Sequence, residues 1–103
     1  MRGEVWWAEL AGDAGFRPVV LVSRADGLER RHNITIAEVT RVVRSLPCEV
    51  PLGVADGMPV PCVANTDNLH TIPKEQLRQR ITTLSGERLF ALDQALRFSL
   101  GLE

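Results

Sequence analysis

Apolar and polar positions alternate over residues 5–10, placing Trp6, Ala8 and Leu10 on one side and Val5, Trp7 and Glu9 on the other, as in a half-buried strand. Only one of the two adjacent indoles can then enter the core of a monomer, which leaves the other for an interface between copies. Pro18-Val19-Val20-Leu21-Val22 is apolar throughout and predicts a central strand covered on both faces. Pro18 stands at its first position, where a missing N–H is tolerated. Residues 34–40 alternate again, with Ile34, Ile36, Glu38 and Thr40 sharing a side. Further short strands are expected over 47–52, 60–64, 69–72 and 77–84. The 53–59 region and Asn65-Thr66-Asp67-Asn68 separate them as turns.

The period changes after Ser85, a residue suited to cap a helix N-terminus. Leu89, Leu92, Leu96 and Leu100 recur at helical spacing, with Phe90 and Ala95 alongside and Gly101 placed to stop the helix. The leucines predict a core-facing stripe. The two-glycine segment 11–15 reads as a turn, and 24–33 as a long, polar, exposed loop. Five to seven short strands and one terminal helix make a mainly β fold with α additions, a small curved antiparallel sheet or partly open barrel.

A chain of 103 residues has room for one such domain, 1–103, and its 45% apolar and 24% charged residues are an ordinary globular composition. The longest apolar run is too short to cross a bilayer and no leader pattern is present, so a soluble, cytoplasmic protein without membrane association is expected. Cys48 and Cys62 both fall in strand patterns, and no cluster of Cys or His has zinc spacing, so they read as reduced core residues and no metal or cofactor is expected.

Net charge is −1, but its distribution is uneven. Between Phe16 and Cys48, Arg17, Arg24, Arg30, Arg31, Arg41 and Arg44 stand against three acids, Asp26, Glu29 and Glu38. Lys74 is the single lysine among twelve basic residues. Arginine's planar fork suits bidentate phosphate contact better than an ammonium does, although a GC-rich genome gives the same bias. Gly-rich phosphate loops, nucleophile elbows and H-E-x-x-H motifs are all missing.

The order of segments resembles the MazF/PemK/Kid family of toxin ribonucleases. The resemblance is carried by Arg2-Gly3-Glu4-Val5-Trp6-Trp7-Ala8-Glu9-Leu10, by Arg17-Pro18-Val19-Val20-Leu21-Val22-Ser23, and by Ile34-Thr35-Ile36-Ala37-Glu38-Val39-Thr40. Asp67-Asn68-Leu69-His70-Thr71-Ile72 and the leucine-patterned helix complete it, so it runs nearly end to end. It implies an SH3-like, CcdB/PemK-like small barrel with a C-terminal helix. It further implies a sequence-specific, metal-independent endoribonuclease that attacks a phosphate of single-stranded RNA with the neighbouring 2′-hydroxyl. A homodimer, a MazE-like antitoxin and operator DNA bound together with that antitoxin are implied as partners.

The family's active-site arginine and threonine carry over onto Arg17 and Thr40. Three chemical needs must be met: a proton acceptor for the 2′-hydroxyl, stabilisation of the pentacoordinate phosphorane, and a donor for the leaving oxygen. Arginine stays protonated near pH 7, so Arg17 is expected to clamp the phosphate while Thr40 donates a hydrogen bond. His70 stands where relatives carry arginine and is a candidate acid or base, since histidine titrates near neutrality. A surface structural role is its alternative. Asn68, where relatives tend to have glutamine, either reads a base edge or makes a turn. Phe16 either stacks on a base or caps the core. Arg24, Arg30, Arg31, Arg41 and Arg44 are candidate phosphate contacts. The competing functions are a CcdB-like toxin that binds gyrase without catalysis and a non-catalytic RNA-binding barrel.

Overall fold

The structure is a computed structural model that describes residues 2–10, 15–24 and 32–102. The expected turn at 11–15 falls, but for Gly15, outside the described residues, as does most of the 24–33 loop with Arg30 and Arg31. Six strands form one antiparallel sheet: β1 Glu4–Leu10, β2 Gly15–Leu21, β3 Asn33–Thr40, β4 Glu49–Leu52, β5 Cys62–Pro73 and β6 Leu77–Thr83, in the spatial order β4-β5-β3-β2-β1-β6. The helix α1 Gly86–Leu100 follows and packs against β4 and β5. Register shifts at Val5/Trp6, Trp7/Ala8 and Ala37/Glu38 curl the sheet into a half-barrel, since each bulge bends its strand and steepens the local twist.

Both faces of the sheet are covered. Val5, Val20, Val39, Val50 and Leu92 belong to the core beneath α1, while Ala8, Val19, Leu21, Ile34, Ile36 and Ile72 form a second core on the opposite face. The unbroken apolar run of β2 serves both, with Val20 on one side and Val19 and Leu21 on the other. Helix α1 has the expected ends: the Ser85 hydroxyl accepts from the Arg88 N–H at 3.2 Å, and Gly101 closes it with φ 70°. Its apolar stripe is narrower than the leucine spacing suggests. Leu92 and Ala95 are buried and Leu89 and Leu96 half-buried, but Phe90 is 65% and Leu100 56% exposed.

The two strands expected over 60–64 and 69–72 are one. On β3, Ala37 pairs with Leu69 and the next residue, Glu38, with Asn65, so Thr66, Asp67 and Asn68 are accommodated as a bulge inside β5. The local turn chemistry is present, because Asn65 Oδ1 accepts from the Asp67 N–H at 2.9 Å. It does not break the strand because the ladder to β3 resumes on both sides. The Thr66 hydroxyl, fully buried, lies 2.7 Å from the Cys48 carbonyl oxygen and 2.6 Å from the Ser99 hydroxyl, tying the bulge to β4 and α1. Cys48 and Cys62 are free and buried, and burial pushes both thiols up from their ordinary range.

Candidate functional site

The β2–β3 ladder ends at Val19 opposite Glu38, beside Pro18, which has no backbone N–H. Carried two positions further, the same register would set Arg17 opposite Thr40. Alternation puts both on the face that carries Val19 and Glu38. Where the strands part, a cleft of about 370 Å³ opens, and Arg17 and Thr40 line it together with Trp7, Phe16, Pro18 and Arg41. Met58, Pro59 and Val60 make its far lip.

Arg17 is exposed, and among the described residues it pairs with no carboxylate. Arg2, Arg78, Arg80 and Arg88, in contrast, are bound to Asp93, Glu9, Glu4 and Asp56. The Thr40 hydroxyl oxygen accepts from the Val42 N–H at 3.1 Å, which fixes the oxygen and leaves its O–H to donate elsewhere. Phe16 is 61% exposed at the cleft, so the reading in which it caps the core does not hold.

The lip is held by Asp56. Its carboxylate accepts from the Gly53 N–H at 2.8 Å and the Arg88 Nε at 2.9 Å, and its carbonyl accepts from the Thr82 hydroxyl at 2.9 Å. The Arg88 hydrogen bond holds the Asp56 carboxyl below its usual range, despite burial. Gly57 follows with φ 93°, and a Cβ there would stand 2.4 Å from the Thr82 hydroxyl oxygen, so this turn demands glycine before Met58.

The remaining sequence candidates scatter. His70 does not line the cleft; its Nε2 donates to Glu38 Oε2 at 2.5 Å in a separate depression. Arg44 is exposed on the 41–47 loop, whose backbone N–H groups at Arg44 and Leu46 are gathered by the buried Glu49 carboxylate. Asn68 is exposed on the β5 bulge and Arg24 is exposed after β2. Only one of the two indoles packs on a core, as alternation requires. Both rings are half-buried on opposite faces: Trp6 packs on the second core with its N–H donated to Glu4 at 2.9 Å, and Trp7 lines the cleft.

Trp7 and the Met58–Val60 lip were not foreseen as site residues. The signal available was the run Met58-Pro59-Val60-Pro61, too apolar for the solvated turn expected there. Among the described residues no group of three or more His, Cys, Asp or Glu is placed to hold a metal, and no helix is long and apolar enough to cross a membrane.

A six-stranded curled half-barrel, closed by a terminal helix and split at one end by an arginine- and threonine-lined cleft, defines a narrow structural class. The chain belongs to the family of PemK-like, MazF-like toxins of type II toxin-antitoxin systems, whose model matches residues 1–100. It is 41% identical over 101 residues to the probable endoribonuclease MazF2 of Mycobacterium tuberculosis, covering 97% of each chain. It is 34% identical over 100 residues to the probable endoribonuclease MazF5 of the same organism, covering 96% of this chain and 91% of that one. Among solved structures it superposes on the Mycobacterium tuberculosis toxin MazF-mt6 with TM-score 0.89 at 31% identity, covering 97% and 98% of the two chains. A mycobacterial endoribonuclease in complex with its cognate antitoxin gives the same TM-score, 0.89, at 25% identity, covering 100% of this chain and 96% of that one.

Proposed function

We propose that this toxin-family chain is an endoribonuclease that cuts single-stranded RNA without a metal, the ribose 2′-hydroxyl attacking the adjacent phosphate to leave a 2′,3′-cyclic phosphate and a 5′-hydroxyl. The observation that carries the reading is the uncommitted guanidinium of Arg17 beside the Thr40 hydroxyl in one open cleft. Charge accumulates on the phosphorane oxygens in the transition state, and a planar fork whose donors meet no carboxylate among the described residues is preorganised for two of them. Thr40, with its oxygen fixed, donates to a third or to the leaving oxygen. Phe16 stacks on a neighbouring base, and Arg41 with Arg24, Arg30, Arg31 and Arg44 holds flanking phosphates. Asn68 reaches a base edge from the β5 bulge.

Two of the relatives named above are probable endoribonucleases and a third, of similar fold, is an endoribonuclease, which favours this reading over gyrase binding. The same likeness supports a cognate antitoxin as partner; operator DNA bound with that antitoxin and a cytoplasmic setting are part of the same proposal. A homodimer is supported by the large apolar side chains left uncovered on the chain, Val42, Val43 and Leu46 after β3 and Phe90 and Phe98 on α1. Purified protein incubated with single-stranded RNA in excess chelator tests the reaction. Fragments with cyclic-phosphate and 5′-hydroxyl ends are expected, and intact RNA or 5′-phosphate ends would refute the mechanism.

A further inference from the structure

A second depression, of about 390 Å³, lies against the second core, whose Ile72 and Leu10 line it, and shares strand β3 with the cleft. Glu38 precedes Thr40 by two residues and shares its face, which separates them by roughly 7 Å along the strand. That is about one nucleotide step from a phosphate held between Arg17 and Thr40. The walls are apolar, from Leu10, Ile72 and Pro73, and the polar groups are Glu38, His70, Thr71 and Gln76. This is the composition of a site for a flat, partly polar ring, apolar against the faces and hydrogen-bonding at the edge.

Glu38 is oriented but not exhausted. His70 Nε2 occupies Oε2, while among the described residues Oε1 accepts no hydrogen bond and the Gln76 amide has no partner. A carboxylate oxygen is acceptor-only, so it favours a base whose edge offers an amino group, as cytosine N4 does, and opposes the carbonyl oxygens that flank N3 of uracil. Unpaired RNA presents these Watson–Crick edges freely.

We propose that the Leu10–Glu38–His70–Gln76 depression is a base-reading subsite for a nucleotide next to the cleaved linkage, with Glu38 selecting amino-bearing bases over uracil and His70 positioning its carboxylate. The inference rests on the ribonuclease reading above. The test uses the full-length protein and a random-sequence single-stranded RNA library, with the bases around each new 5′-hydroxyl end counted. Wild-type protein disfavours uracil at one position beside the cut. Glu38→Gln, whose amide both donates and accepts, reduces that discrimination by about tenfold or more at that position alone, and His70→Ala reduces it at the same position.

An unchanged base profile in both variants overturns the subsite. So does a uniform loss of rate at every sequence, which would make the pair part of the proton transfer or the fold instead. Glu38 is a packed residue, and should Glu38→Gln fail to fold, the half-exposed His70 carries the test. If wild-type protein cuts nothing, the ribonuclease reading fails, and selection of bound, uncut RNA from the same library reads the subsite separately. A base preference that Glu38→Gln flattens sustains it, and binding without such a preference ends it.

Discussion

Two arginines of this chain meet opposite fates. Arg88 is drawn into a knot with Asp56, whose carboxylate also holds the Gly53 N–H and whose carbonyl holds Thr82, so turn, strand and helix are fastened at one place. Arg17 stands at the mouth of the cleft, exposed, with no carboxylate among the described residues to take its donors. The first guanidinium works by being consumed within the fold and the second by being left over. The same side chain is thus a fastener or a ligand-binding group according to the acceptors its neighbours provide.

Arg17→Ala should lower the single-turnover cleavage rate about 100- to 1000-fold, the usual loss for one preorganised donor to a developing oxyanion. Its thermal midpoint should stay close to wild type, because an exposed side chain with no carboxylate partner among the described residues contributes little to stability. Arg17→Lys should recover only part of the rate, since an ammonium cannot make the bidentate contact. A near wild-type rate in Arg17→Lys would argue against the clamp.

The fastener gives the opposite signature. Asp56→Asn should cost about 2 to 3 kcal/mol of unfolding free energy, measured by urea titration, because it breaks a largely buried charged hydrogen bond and leaves Arg88 unanswered. Asp56 has a folded pKa below its ordinary value. Its contribution is therefore complete above the unfolded carboxyl pKa of about 4 and is lost as pH falls through the lower, folded value. The stability gap between wild type and Asp56→Asn should close on acidification over that window. A gap that widens toward acid would show that the Arg88 pairing does not lower the carboxyl pKa.

How far these features were legible in the sequence follows from the range of the interactions that set them. The Ser85 cap, the Gly101 stop and the central β2 strand are decided within a few residues, and pattern alone located them. Asn65 to Asn68 carried a true turn signal and still sit within one strand, because the ladder from β3 resumes beyond them. Arg17 and Thr40 line one cleft, as the β2–β3 register carried two residues further requires. The walls did not declare themselves: Trp7, Met58 and Val60 come from segments brought together by sheet curl, which residue alternation does not encode. Parity puts Glu38 on the Thr40 side, but its pairing with His70 depends on the β3–β5 register, set by a bulge whose residues carry a turn signal.

Arg41 and Arg44 stand between these extremes. Arg41 lines the cleft, and Arg44 projects from a loop whose backbone is anchored on Glu49, so both are exposed cations on a supported frame. If each touches one phosphate of a bound strand, replacing it by glutamine should flatten the dependence of log affinity on log salt by about 0.7, as expected for counterion release from single-stranded nucleic acid. The two changes should add, since backbone phosphates are contacted independently. The measurement needs an RNA that binds without being cut, such as a fully 2′-O-methylated strand, titrated from low to physiological salt. Base preference should not change with the slope, because phosphate contacts position the strand and do not read it. A slope unmoved by both substitutions would remove Arg41 and Arg44 from the footprint and leave Arg17 as the cleft's own phosphate contact.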